Sequence, residues 1–491
     1  MDIQQLQPVA VRGLHRGMAD SSVLSDALMP SSQMRRIINM DTDAIGNLTR
    51  SNGYSRLGDA VVVSASNTIL GLHNHKSTTA ANSQIIAFSN ASGGATAEAY
   101  YLASGTTWTN KALAFTAGTK IRAATFLNYV IAVNGTDAPK SWTGATGSAW
   151  GTTQLASAPT GSLIETFRQQ VYMGTTSTDT IQWSSVPSGG VITWPAANSF
   201  VLNPNDGSSL TAMKRVGSEM IFWKNDYMYR FNGKSTDPDP IILFGTPSQE
   251  CVTVSAGTAW FFDSNRLGIY GYAGGYPQLI SKPVSSFLSA IPSSSLSSCA
   301  IRSDKDHVEL YIGDVTVNGL TITKCAVHYT ISTQTWTLRS YAHAMTVSSF
   351  YDDGTNLQSL FGTTTNDIVK MDRSNAFLTS AIPFEAETPW LVVGGNPAVR
   401  QTLVALAFFI ENSASVSVQY RLDSDMSWTD IGNCRGYVTS WPSINKDFYR
   451  LKLRITGIST DADPAIFEGF SILLPLVKAV EKDTNRFRPA T

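Results

Sequence analysis

His73 and His75 alternate along a segment of strand character, so both imidazoles should project from one face, a spacing that can supply two ligands of a metal site. With one such pair per chain, a metal would need further ligands from elsewhere in the chain or from symmetry copies; failing that, the pair reads as exposed, turn-proximal histidines. His307, His328 and His343 are scattered through later segments, and no Ser or Cys beside them has a nucleophile-elbow context such as Gly-x-Ser-x-Gly. Carboxylates recur in pairs at Asp237 and Asp239, Asp352 and Asp353, Asp423 and Asp425, and Asp461 and Asp463, which could act as acid and base or ligate calcium. Each pair lies where Pro, Gly or Ser already signals a turn, and Asp is favoured there because its side chain bonds nearby backbone amides. None leads into a calcium loop closed by Glu, so turn chemistry is the better reading.

The other reactive patterns are incomplete. Gly105-Thr106-Thr107-Trp108 matches the second half of a sialidase-type Asp-box, but the stretch 100–102 supplies neither its Ser nor its Asp, which leaves a hairpin with a packed indole. Tyr100, Tyr101, Tyr270 and Tyr272 could form a stacking platform for a sugar, although strand aromatics more often pack across strands. There is no phosphate loop and no Gly-x-Gly-x-x-Gly after a strand. Cys251, Cys299, Cys325 and Cys434 lie 48, 26 and 109 positions apart, matching no zinc-ligand spacing, and their redox state stays open. These residues give no catalytic, cofactor-binding or metal-ligating set, and the chain is expected to use no cofactor and not to be an enzyme.

The elements that carry these residues are strands. Trp150, Trp194, Trp223, Trp260 and Trp336 fall at steps of 44, 29, 37 and 76 residues, the last being two steps near 38. A unit of about 40 residues with about four strands cannot bury its own face, so it must stack on copies of itself, usually as propeller blades. Successive units are readable from 59, at 126–150, 168–195, 220–233, 251–275, 307–339 and 347–371, which gives six to eight blades, the count depending on whether the ring closes by borrowing an early strand. The Asn134-Gly135, Asn232-Gly233 and Gly274-Gly275 pairs supply turns.

The sequence divides into an N-terminal arm, 1–57, interrupted by Pro8, Gly13, Gly17 and Pro30 with a short helix at 21–28; a propeller, 58–383; an antiparallel sandwich, 384–476, with Trp428 and Trp441 on its turns; and a modestly basic tail, 477–491. Of 491 residues only 15% are charged, below the roughly 25% of an ordinary soluble domain, while Ser, Thr, Asn and Gly are abundant, as on virion and extracellular proteins. The net charge of −1 excludes a global field that would draw the chain onto nucleic acid or an anionic membrane. The start lacks a basic cap before an apolar run and no 18 apolar residues occur in succession, which points to synthesis in a cytoplasm without Sec export and to no membrane-spanning segment.

The stretch from Arg35 through Ile37, Asn39, Asp41 and Asp43 to Gly46, then Arg50, Gly53 and Tyr54, resembles a motif of phage tail proteins in which Asn-x-Asp, a turn Gly and Arg-x-x-Gly lead from an arm into a propeller. The order of arm, toroid and sandwich is similar to the tail hub or nozzle family of short-tailed phages, the packaged-DNA stabilisation protein-like propellers; the chain departs at Ser51-Asn52, where that pattern has a basic residue. The resemblance implies a structural virion protein of the phage tail, made in the host cytoplasm. It would form a homo-oligomeric ring, commonly a hexamer, that extends the portal and adaptor channel, meets tail fibre or needle proteins, retains packaged DNA and touches it transiently during ejection. A near-neutral subunit suits that task, because many Lys or Arg contacts to phosphate would hold the genome that must pass. The alternative is a glycan-binding or glycan-cleaving propeller on a virion or cell surface, marked by carboxylates and arginines converging at one mouth of the toroid.

Overall fold

The computed structural model describes residues 6–14, 16–19, 29–61, 68–104, 106–187, 190–204, 206–233, 238–241, 243–352, 357–393, 398–412, 416–423, 425–434, 436–441, 443–459 and 463–475. The expected helix at 21–28 and the basic tail lie outside them. Among the described residues no helix is long and apolar enough to cross a membrane.

The chain is all-β, a seven-bladed propeller joined to an antiparallel sandwich by an N-terminal arm. The innermost strands of the blades begin at Ile69, Arg122, Leu163, Leu210, Val252, Ala300 and Met345, each neighbours the next, and Met345–Asp352 returns to pack beside Ile69–His75. Each blade is an antiparallel meander whose second strand is covered on both faces by adjoining blades, which is why Glu219–Lys224 is buried at every position after its first. Blade 2 has three strands, Arg122–Phe126, Tyr129–Val133 and Lys140–Trp142, and its fourth place is held by a single antiparallel bridge from Ser141 to Gly151; Trp142 and Trp150 pack there with ring centroids 5.7 Å apart.

The tryptophan beat does not mark equivalent positions. Trp223 and Trp260 lie on second strands, Trp336 on a fourth, Trp150 after the third strand of blade 2 and Trp194 between the third and fourth strands of blade 3, so the true repeat is the meander, recurring every 41 to 53 residues. Two expected strands are also corrected. The run 126–133 is broken at Leu127-Asn128 and the third blade opens at Leu163, before Arg168-Gln169, because both pairs have positive φ (47° and 65°, then 47° and 62°) and form two-residue hairpin turns. Ile192–Thr193 pairs in parallel with Leu155–Ala156, and Ser199–Val201 completes blade 3 instead.

Five strands of the arm, β1 (Leu6–Arg12), β2 (Arg36–Ile38), β3 (Met40–Thr42), β4 (Leu48–Arg50) and β5 (Gly53–Arg56), pair inside this same chain. β5 is the fourth strand of blade 7, antiparallel to Ile368–Ser374, and so closes the ring. β1 and β4 pair with Ile466–Pro475 in one sandwich sheet. β2 lies between Thr335–Ser340 of blade 6 and Ile382–Glu387 of the other sandwich sheet, making one nine-stranded sheet across both domains. Strands Val416–Leu422 and Leu451–Ser459 alternate buried and half-buried residues, the pattern of a sheet with one face on a core. Trp441, expected on a turn, ends the edge strand Val438–Trp441.

Candidate functional site

Two buried polar places stand out, the axis of the propeller and the seam under the closing blade. At the axis, Arg122 of blade 2 reaches across to Glu250 before blade 5: Nε and Nη2 meet Oε1 at 3.1 and 2.9 Å, Nη2 meets Oε2 at 2.9 Å, and Nη1 donates to the Ser162 carbonyl at 2.8 Å. Lys120 Nζ donates to the Thr346 carbonyl at 3.0 Å. Burial pushes the Glu250 carboxyl up, but Arg122 and Lys120 outweigh it and hold it below the ordinary range. The space left is a cavity of about 110 Å³, well under the roughly 300 Å³ at which small-molecule sites begin. The pair plugs the axis.

The seam is larger and its groups come from many strands. Arg302, Glu309 and His328 face one another across three adjacent strands of blade 6, and Thr337 follows on the fourth. The Arg302 fork holds both Glu309 oxygens at 3.2 Å, donates to Asp372 Oδ2 of blade 7 at 3.0 Å and reaches Asp304 Oδ2 at 3.4 Å. His328 Nδ1 lies 2.9 Å from Glu309 Oε2, Tyr341 donates its hydroxyl to Oε1 at 2.7 Å, and Arg339 pairs with Asp41 of β3 at 2.5 Å. Burial raises the Glu309 carboxyl, yet Arg302 and the His328 bond win and hold it well below the ordinary range; burial, then Arg339, keeps His328 low despite Glu309. Asp304, His307 and Asp372 bring one donor atom each to within 4.8 Å of one another beside an open cavity of about 320 Å³.

The arm motif stitches this seam. Asn39 is fully buried with φ 52°; its Nδ2 donates to the Ser340 and Pro383 carbonyls at 3.2 and 2.6 Å and its Oδ1 accepts from Ser340 N at 3.0 Å, joining blade 6 to the sandwich. Gly46, at φ 92°, turns the chain between β3 and β4. Buried Arg50 donates to the Asn375 carbonyl at 2.9 Å, and Tyr54 OH meets His343 Nδ1 at 2.7 Å. A Cβ on Gly53 would stand 2.2 Å from the Ala376 carbonyl oxygen, so no side chain fits there.

His73 and His75 do share a face, and both meet one hydroxyl: His73 Nε2 and His75 Nδ1 lie 2.8 and 3.0 Å from Thr125 Oγ1. They are not the exposed turn histidines expected otherwise, since His75 is fully buried and His73 half-buried. Burial, then His75, pushes His73 down to about 3. No carboxylate or cysteine completes a ligand set around them among the described residues. His307 and His328, expected to be scattered, meet with ring centroids 5.0 Å apart and planes tilted by 36°.

Tyr100, Tyr101, Tyr270 and Tyr272 are buried and offer no sugar platform. Trp108 is the packed indole of its hairpin, donating to the Leu57 carbonyl at 3.2 Å. Asp425 Oδ2 accepts from the Leu422 amide three residues back, as a turn carboxylate does, whereas Asp423 Oδ1 accepts from the amides of Tyr449 and Arg450 and so ties its turn to a distant loop; Asp237, Asp353, Asp461 and the Asp-box Gly105 lie outside the described residues. All four cysteines are free and buried, and burial pushes Cys434 up to about 11 and Cys299 up to about 12. Sequence reasoning passed over Arg302, Glu309, Arg339 and Asp372; the signal was a charge inside each otherwise apolar or short alternating strand.

No family model matches the chain, and no curated protein matches it. Solved structures that it is similar to include YCF48 bound to D1 peptide, at 13% identity, 65% of this chain, 99% of that one and TM-score 0.39. The extracellular domain of the putative one component system BT4673 from B. thetaiotaomicron is similar at 9% identity over 89% of this chain and 63% of that one, with TM-score 0.44. The AfRom2 CNH domain is similar at 8% identity over 65% and 99%, with TM-score 0.41.

Proposed function

We propose that this chain is a structural subunit of a phage tail hub or nozzle ring, a homo-oligomer that extends the portal and adaptor channel, retains packaged DNA and conducts it during ejection. The observation that carries the reading is the nine-stranded sheet running from blade 6 through β2 into the sandwich, because it makes two domains one stiff body, as a ring under internal pressure requires. The plugged axis supports the same reading, in which the DNA channel lies between copies and not through one subunit. The sandwich offers surface for neighbours, with Tyr437 and Val438 exposed at the outermost strand of its sheet. On another part of the sandwich, Arg450 and Arg421 lie over Trp390, and Arg421 and Arg454 over Trp428, a small cationic and aromatic surface suited to transient contact with passing DNA.

Labelling phage particles with an antibody to this chain and imaging them by electron microscopy tests the proposal. A symmetric ring of label at the tail, next to the portal, is expected. Label elsewhere, or a purified chain that stays monomeric with the portal complex and is thermally stabilised by a saccharide, would overturn it in favour of a glycan-binding propeller.

A further inference from the structure

We propose that Asp304, His307 and Asp372 bind a divalent cation of the manganese or zinc class where blade 6 meets the closing blade 7. The three donors come from the turn before His307–Val317, from its first residue, and from Ile368–Ser374, so the cation would tie the last blade to the one before it. Their donor atoms lie within 4.8 Å of one another, a separation that a single ion can span.

Four further observations support the site. First, carboxylates outnumber arginines in the network: Asp41, Asp304, Glu309 and Asp372 share Arg302 and Arg339, their other cationic neighbours being imidazoles, with His307 Nδ1 3.1 Å from Asp304 Oδ1 and His328 Nδ1 2.9 Å from Glu309 Oε2, while Lys305 and Arg373 at the cavity mouth are exposed to solvent. Second, Arg302 holds one oxygen, Oδ2, of both Asp304 and Asp372, which orients each carboxylate as an outer partner does around a metal. Third, Ser359 lines the same cavity from blade 7, is only 6% exposed, and its hydroxyl has no hydrogen-bond partner among the described residues, so it can take a water on the ion or the ion itself. Fourth, Asp372 sits at φ 57° where the pairing of Ile368–Ser374 with β5 shifts register between Met371 and Ser374, and such a bulge re-aims a side chain. The cavity of about 320 Å³ leaves room for waters to complete the shell. One imidazole beside two carboxylates favours manganese or zinc over magnesium or calcium, which prefer oxygen alone.

The full-length chain, stripped with a chelator, is titrated with Mn²⁺, Zn²⁺, Mg²⁺ and Ca²⁺ by calorimetry and by thermal unfolding. One equivalent of Mn²⁺ or Zn²⁺ per chain with a raised Tm is expected, and Asp372→Asn and His307→Gln should each weaken binding by about a hundredfold. Cu²⁺ loaded into the unaltered chain should give an electron spin resonance signal with coupling to one histidine nitrogen, which does not depend on any variant folding. No saturable binding at millimolar metal, binding that survives both substitutions together in a folded chain, or a copper signal without nitrogen coupling would each overturn the proposal.

Discussion

The axis and the seam both bury an arginine against a glutamate, yet they solve different problems. Arg122 and Glu250 come from opposite sides of the ring, satisfy each other as a bidentate pair and leave a cavity of about 110 Å³. Arg302 and Glu309 stand side by side on one blade, and the arginine must also serve two aspartates while the glutamate serves His328 and Tyr341. A closed pair fills a hole, whereas an overcommitted group at a junction couples the parts that meet there. Buried pairs of the first kind are replaceable by apolar residues of similar volume, but a network breaks when any member goes.

The contrast is sharpest in Arg302→Met. Arg302 is 1% exposed and its loss leaves Glu309 buried without its counter-charge, so chemical denaturation should show a loss of about 3–5 kcal/mol; a loss under about 1 kcal/mol would remove the distinction between pair and network. Asn39→Ala strips three hydrogen bonds between blade 6 and the sandwich and should cost about 2–3 kcal/mol, with the two domains losing their common transition. Glu250→Gln should cost about 2 kcal/mol at neutral pH. Because the Glu250 carboxyl is held below its ordinary value, its contribution is present above about pH 4.3 and lost as pH falls through the folded value, so the gap between wild type and Glu250→Gln should narrow in acid. The smallest effect concerns His73, whose folded value is down at about 3: below pH 6.5 the unfolded chain takes a proton that the native one refuses. At pH 5.5 this costs about 1 kcal/mol, and His73→Gln should flatten that slope in denaturation curves recorded between pH 7 and 5.

The propeller was legible because a meander repeats its turns, and the later units, such as 307–339 and 347–371, coincide with whole strands of blades 6 and 7. Turns made without Gly-rich pairs were not legible: Leu127-Asn128 and Arg168-Gln169 adopt positive φ in a context that only strand pairing enforces. The tryptophans marked bulk and not phase, since an indole fills whichever gap its blade leaves. The arm read as loose because its strands are three to seven residues long and their partners lie hundreds of positions away, as with Ile37 and Ala386. The seam was invisible for a related reason. Asp304, His307 and Asp372 share no local spacing, and only the closure of blade 7 brings the third to the first two.

The borrowed strand sets an order of events during synthesis. Arg56 pairs with Val369, 313 positions later, and Leu48 with Phe467, so the first strands made must wait for the last before they find their places. Until then the ring stays open and the hydrophobic flank of blade 7 is bare, a state prone to capture by another nascent copy. Such non-local pairing folds slowly, and the yield of correctly closed subunits should depend more on translation rate and chaperones than on the stability of the finished molecule.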